Sequence, residues 1–121
     1  MLAAERLLQI QEAFGEYLTG IAVLDLEGET LRIVLYLEDG TNLRVTEQWE
    51  GEQLKRYSYY WLTALNELKI GWDNAAHHDS IETTPHHKHV KQQACVRSSN
   101  EHSLDAVMRV VLRSPWQEDD A

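Results

Sequence analysis

From Leu31 to Thr63 apolar residues keep returning at alternate positions, and this period constrains the fold more than any other feature of the chain. Leu31, Ile33, Leu35 and Leu37 alternate with Arg32, Val34, Tyr36 and Glu38. Leu43 and Val45 alternate with Asn42, Arg44 and Thr46. Successive side chains of a strand point to opposite faces, so each run offers one apolar face. Turn dipeptides separate the runs at Glu27-Gly28, Asp39-Gly40 and Glu50-Gly51. The run from Gln53 to Thr63 places Tyr57, Tyr59 and Trp61 on one face, with Leu54, Ser58, Tyr60 and Leu62 on the other. Leu68 to Trp72 returns after a turn near Asn66. Connections this short cannot make parallel crossovers. The pattern therefore predicts five strands of an antiparallel meander, with Gln93 to Arg97 as a sixth, shorter strand.

Helical spacing brackets the sheet. Leu7, Ile10, Phe14, Tyr17 and Leu18 form one stripe, which predicts a helix over residues 3–18 that stops before Gly20. Leu104, Val107, Met108, Val111 and Leu112 form a second stripe. Ser103 is placed to cap that helix, and Pro115 to end it. The expected architecture is α+β: an N-terminal helix, a five- to six-stranded antiparallel meander and a C-terminal helix in one two-layer domain over residues 1–121. The acidic tail, 117–121, is expected to be disordered. Two helices cover one face of such a sheet. The other face would show tyrosine and tryptophan, a surface for a homodimer or another protein partner, or else for the chain's own loop.

A chain of 121 residues can bury a real core without metals or disulfides as staples. The single cysteine, Cys95, cannot close an internal disulfide. No signal core or membrane-spanning apolar run is present, so a cytoplasmic protein is expected, with no membrane partner. The net charge of −9 is uneven. Residues 1–52 carry eleven carboxylates against three arginines, whereas residues 53–121 carry nine against eight Lys and Arg. Such a protein repels phosphate backbones at long range and does not grip nucleic acid non-specifically. Thr83 to Ser98, however, contains no carboxylate and holds Lys88, Lys91 and Arg97. A local patch of this kind can hold a phosphate.

All six histidines lie between His77 and His102, and five fall between His77 and His89. Two chemistries use such a cluster. Imidazole titrates near neutrality, so histidines can act as general acid and base. Metal-independent RNA cleavage needs one group to take the 2′-OH proton and another to protonate the leaving 5′ oxygen. His77, His78, His86, His87 and His89 are the candidates, with Asp73 orienting an imidazole. Lys88, Arg97, Trp72 and Asn74 are candidates for holding substrate. This leading chemistry requires no cofactor. Neutral imidazoles also bind transition metals. If residues 87–89 are extended, His87 and His89 share one face while His86 and Lys88 face the other way. With Asp73 and His77 or His78 they could hold zinc or manganese in a metal-dependent phosphodiesterase or nucleotide-modifying enzyme. A third reading is non-enzymatic, a protein-binding module whose histidines form a structural loop. Taken singly, Trp72 reads as core, Asp73-Asn74 as a turn, His102 as structural and Cys95 as a small buried residue. The Tyr57, Tyr59 and Trp61 stripe reads as packing against a helix or a partner rather than as a platform for bases.

The segment Trp72-Asp73-Asn74-Ala75-Ala76-His77-His78, followed by Pro85-His86-His87-Lys88-His89, resembles the central signature of the TumE-like toxins of toxin–antitoxin systems. The aromatic strand Tyr57-Ser58-Tyr59-Tyr60-Trp61 and the Ser98-Ser99 turn before a last amphipathic helix are similar to that family too. Ala76 and Thr84 depart from it, where the family often has proline and an aromatic; neither change removes a chemical group. The resemblance implies a toxin neutralised by a cognate antitoxin, often a helix-turn-helix DNA-binding protein. Ribonuclease activity, and so RNA as substrate, follows from it only by association with small toxins in general.

Overall fold

The computed structural model describes residues 1–75, 86–93 and 96–113. Helix α1 (Ala3–Phe14) leads through a single 3-10 turn into strand β1 (Leu18–Glu27). Strands β2 (Thr30–Leu37), β3 (Asn42–Glu50), β4 (Gln53–Leu62) and β5 (Leu68–Asp73) follow. Two short strands, β6 (His87–Val90) and β7 (Val96–Ser98), precede helix α2 (Leu104–Val111). The seven strands pair in chain order, each antiparallel to its neighbour. The α+β architecture is the one the periodicity predicts, with one strand more than the upper estimate.

Three expectations need correction. The first helix ends at Phe14 rather than residue 18. Gly15 weakens the helix there, and the following Thr19, Ile21 and Val23 favour extended backbone. The polar stretch around His87, a loop in the non-enzymatic reading, is a strand, because its polar side chains are matched by partners inside the fold. The last short strand covers Val96–Ser98 rather than residues 93–97. Residues 76–85, Cys95 and the acidic tail lie outside the described residues.

Both helices pack on one sheet face. Ile10 of α1 and Leu104, Val107 and Met108 of α2 join Leu31, Ile33, Leu35, Leu43, Val45, Tyr59, Trp61 and Trp72 in one core. The aromatic stripe is thus on the covered side, so the expected exposed aromatic face is not the one this stripe forms. Tyr36 and Tyr60, on the outer face, are only partly buried. A buried charge locks α1 to the sheet. Glu47 is fully buried and accepts two bonds from Arg6, at 2.7 and 3.1 Å, one from Tyr59 Oη at 2.6 Å and one from Trp49 Nε1 at 3.0 Å. Four donors on two oxygens satisfy a charge that would otherwise be costly to bury. Ser103 caps α2, its hydroxyl accepting from the Ala106 amide at 3.3 Å.

Candidate active site

The register of β4, β5 and β6 assembles the site on the sheet face opposite the helices. Ser58 pairs with Asp73, and Asp73 with His87. Tyr60 pairs with Gly71, and Gly71 with His89. Directly opposed residues of a ladder project to the same side, so Asp73, His87 and His89 meet on the outer face. Nε2 of His87 lies 2.8 Å from Asp73 Oδ1, and Nε2 of His89 lies 3.4 Å from Oδ2. The two rings meet edge to face with centroids 5.0 Å apart. All three residues are buried, His87 at 1% exposure.

Neighbours fix each member of this cluster. His89 Nδ1 sits 2.7 Å from the Gln93 carbonyl oxygen. A carbonyl only accepts, so Nδ1 carries the hydrogen and Nε2 is left facing the carboxylate. The Ala75 amide donates to Asp73 Oδ1 at 3.0 Å, and the Tyr60 hydroxyl to Oδ2 at 3.3 Å. The Tyr60 ring lies over Gly71 so closely that a Cβ there would fall 2.2 Å from a ring carbon. Burial, and then the Asp73 charge, push the Tyr60 hydroxyl above its ordinary range, so it stays a donor.

The opposite side of β6 does different work. Lys88 is buried, with Nζ 3.3 Å from Glu101 Oε1. Trp72 is in the core and donates to the same oxygen at 3.0 Å. His86 stacks on His102 at 3.8 Å between centroids and contacts the Tyr57 hydroxyl through Nδ1 at 2.9 Å. Burial, and then the neighbouring His102 and His87, lower the pKa of His86. Arg97 pairs with Lys88 and so projects to the helix side. Asn74 spends its side chain on β4, accepting from the Tyr57 amide at 2.9 Å and donating to the Lys55 carbonyl at 3.1 Å. Of the candidates from the sequence, the structure brings together Asp73, His87 and His89. It places His86, Lys88, Trp72 and Arg97 on the other face, and Asn74 in the ladder. His77 and His78 lie outside the described residues.

The outer face also holds groups that sequence reasoning missed. A groove of about 480 Å³ crosses β2 to β5 and is lined by Thr46, Gln48, Arg56, Ser58, Tyr60 and Asp73 among others. Beyond Tyr60 a second depression of about 380 Å³ carries Arg44 and Lys91. Arg44 and Arg56 are exposed and stand on the face that presents Asp73. Their signal was their position opposite the apolar stripe in β3 and β4. Asp73 links the two parts of the site: its carboxylate borders the groove and contacts both imidazoles.

Among curated proteins and among solved structures, nothing matches the chain. The family described as Toxin TumE matches it over residues 5–117. That span contains all but the first two residues of α1, all seven strands, α2 and the whole Asp73–His87–His89 cluster. The chain belongs to the TumE toxin family, and so is the toxin of a toxin–antitoxin pair.

Proposed function

We propose that this toxin cleaves RNA phosphodiesters at the Asp73–His87–His89 cluster. The observation that carries the reading is Asp73 itself, a carboxylate shared between an arginine-lined groove and two imidazoles. Cleavage needs a group to accept the ribose 2′-OH proton, so that the 2′ oxygen can bond to phosphorus. It needs another to protonate the 5′ oxygen as the P–O5′ bond breaks, leaving a 2′,3′-cyclic phosphate. A carboxylate in contact with two imidazoles supplies groups that can take up and give back those protons. Arg56 stands in the groove to offset the charge that develops on the phosphate. Tyr60, at the junction of the two depressions, offers a ring on which a base can stack.

The antitoxin partner fits the acidic N-terminal half. A helix-turn-helix DNA-binding antitoxin is basic where it meets DNA, and a basic surface would be attracted to this half. The edge strand β1 exposes Val23, Leu24 and Leu26, which supports a protein contact there.

The test is cleavage of end-labelled single-stranded RNA by chelator-treated protein. Wild type should cut RNA and leave DNA of the same sequence intact, because DNA has no 2′-OH. Asp73→Asn and His87→Ala should each lower the rate by about 100-fold or more, the usual worth of a positioned proton-transfer group. Intact RNA with folded wild type, or equal rates in the folded variants, would overturn the proposal.

A further inference from the structure

We infer that Asp73, His87 and His89 form a binding site for one divalent transition-metal ion of the zinc class. One carboxylate oxygen and two ring nitrogens, all on buried residues, lie within 4.8 Å of one another. A tetrahedral ion with ligands at about 2.0–2.1 Å holds its ligand atoms about 3.4 Å apart. His87 Nε2 lies 2.8 Å from Oδ1 and His89 Nε2 lies 3.4 Å from Oδ2, so a rotation of the carboxylate that turns one oxygen toward both rings would close the shell. Two nitrogens with one oxygen are a donor set for zinc or cobalt rather than for magnesium or calcium. Three protein ligands leave a fourth position for water or substrate, and Asp73 borders the groove through which either would arrive.

The bonding around His89 points the same way. With Nδ1–H held by the Gln93 carbonyl, the lone pair of neutral His89 on Nε2 faces the Asp73 carboxylate. A lone pair against a carboxylate inside a protein repels unless a positive charge lies between them. Either a proton or a metal ion provides it. An imidazole whose far nitrogen donates to a backbone carbonyl is also the usual support of a metal-ligating histidine, since it fixes the tautomer and ring orientation. His86 and His102 differ: they stack on each other on the opposite face, away from Asp73.

Binding of the ion stands on this geometry alone. Its consequence for cleavage rests on the proposed function. Ion and mobile proton need the same lone pairs, so an ion that occupies both imidazoles removes them from proton transfer and lowers the rate.

The experiment titrates chelator-treated full-length protein with Co²⁺, reading visible d–d absorption and calorimetric stoichiometry, and follows RNA cleavage in the same samples. One Co²⁺ per chain is expected, displaced by Zn²⁺. Asp73→Asn and His87→Ala should weaken binding by about 100-fold or more, while His102→Ala leaves it unchanged. Circular dichroism of each variant confirms folding. No binding to wild type overturns the inference, as does unchanged binding in folded His87→Ala and His89→Ala. RNA cleavage by protein that binds no Co²⁺ removes the ion site but keeps the ribonuclease reading. Co²⁺ binding with no RNA cleaved in any state removes the ribonuclease reading alone. Co²⁺ binding with cleavage only in its presence supports the ion site and overturns proton transfer by the imidazoles.

Discussion

At the scale of single residues, Gly71 shows how a missing side chain shapes the site. The Tyr60 ring occupies the space a Cβ would need, and from there its hydroxyl reaches Asp73. Gly71→Ala should expel the ring toward solvent, which is possible because Tyr60 is only half-buried. The expected result is a folded protein whose RNA cleavage falls about tenfold or more; 1 Å displacements near reacting groups can cost 100-fold. Tyr60→Phe keeps the ring and loses only the hydroxyl, so it should retain more activity than Gly71→Ala. Equal activity in Gly71→Ala and wild type would show that Tyr60 does not position Asp73. Tyr59 makes a separate prediction about pH. Burial first, and then the Glu47 charge, raise its pKa well above the ordinary value of 10.0. A raised pKa in the folded state gives stability that is fully present below the unfolded value and is lost as pH rises toward the folded one. Stability should therefore drop above about pH 10. Tyr59→Phe should flatten that drop, as read by denaturant titrations between neutral and strongly alkaline pH.

At the scale of elements, the alternation in β2, β3 and β4 carried the architecture, because one face of each strand is apolar and the other polar. Strand β6 was much harder to see. His87-Lys88-His89-Val90 is buried along its whole length, yet three of its four residues are polar. Hydropathy marks such a stretch as a loop. It is a strand because Lys88 meets Glu101 on one side while His87 and His89 meet Asp73 on the other. Those partners lie 13 to 16 residues away in sequence, so no local pattern reveals them. The alternation of histidines across residues 86–89 was readable, and it correctly separates His87 and His89 from His86 and Lys88 once the segment is extended. The attachment of α1 likewise depends on a distant pair, Arg6 with Glu47. Glu47→Ala should cost about 3 kcal/mol in denaturant melts, since it leaves the largely buried Arg6 without its carboxylate and Tyr59 and Trp49 without their acceptor. Replacing both members with apolar residues, as in the double variant Arg6→Met, Glu47→Leu, should recover the part of that loss due to the unpaired Arg6, and the part due to the stranded Tyr59 and Trp49 donors should remain. A single variant that melts like wild type would mean that the apolar contacts of α1 hold it without the charge.

At the scale of the whole molecule, the proposed function asks an acidic chain to bring a polyanion to its outer face. The net charge of −9 opposes RNA at a distance, and the arginines act only nearby, because screening limits their reach to about 10 Å at 0.1 M salt. The cations expected from the sequence, Lys88 and Arg97, lie close in sequence to the histidines. The pleat sends both to the helix side. Arg44 and Arg56 come from other strands, yet the sheet sets them on the face that carries Asp73. RNA binding should therefore follow the sheet face rather than sequence distance. In an Asp73→Asn background, which keeps labelled RNA intact, the double variant Arg44→Glu, Arg56→Glu should weaken binding by about tenfold or more. Each phosphate contact on a single strand contributes a slope of about −0.7 to log affinity against log salt, so losing two should flatten the slope by about 1.4. Arg97→Glu changes charge by the same amount at one site on the other face, and should alter affinity by far less than either single outer-face variant. Fluorescence anisotropy across a salt series reads both quantities. If Arg97→Glu weakens binding as much as Arg56→Glu does, net charge rather than the groove governs encounter, and RNA does not select the face on which Asp73, His87 and His89 converge.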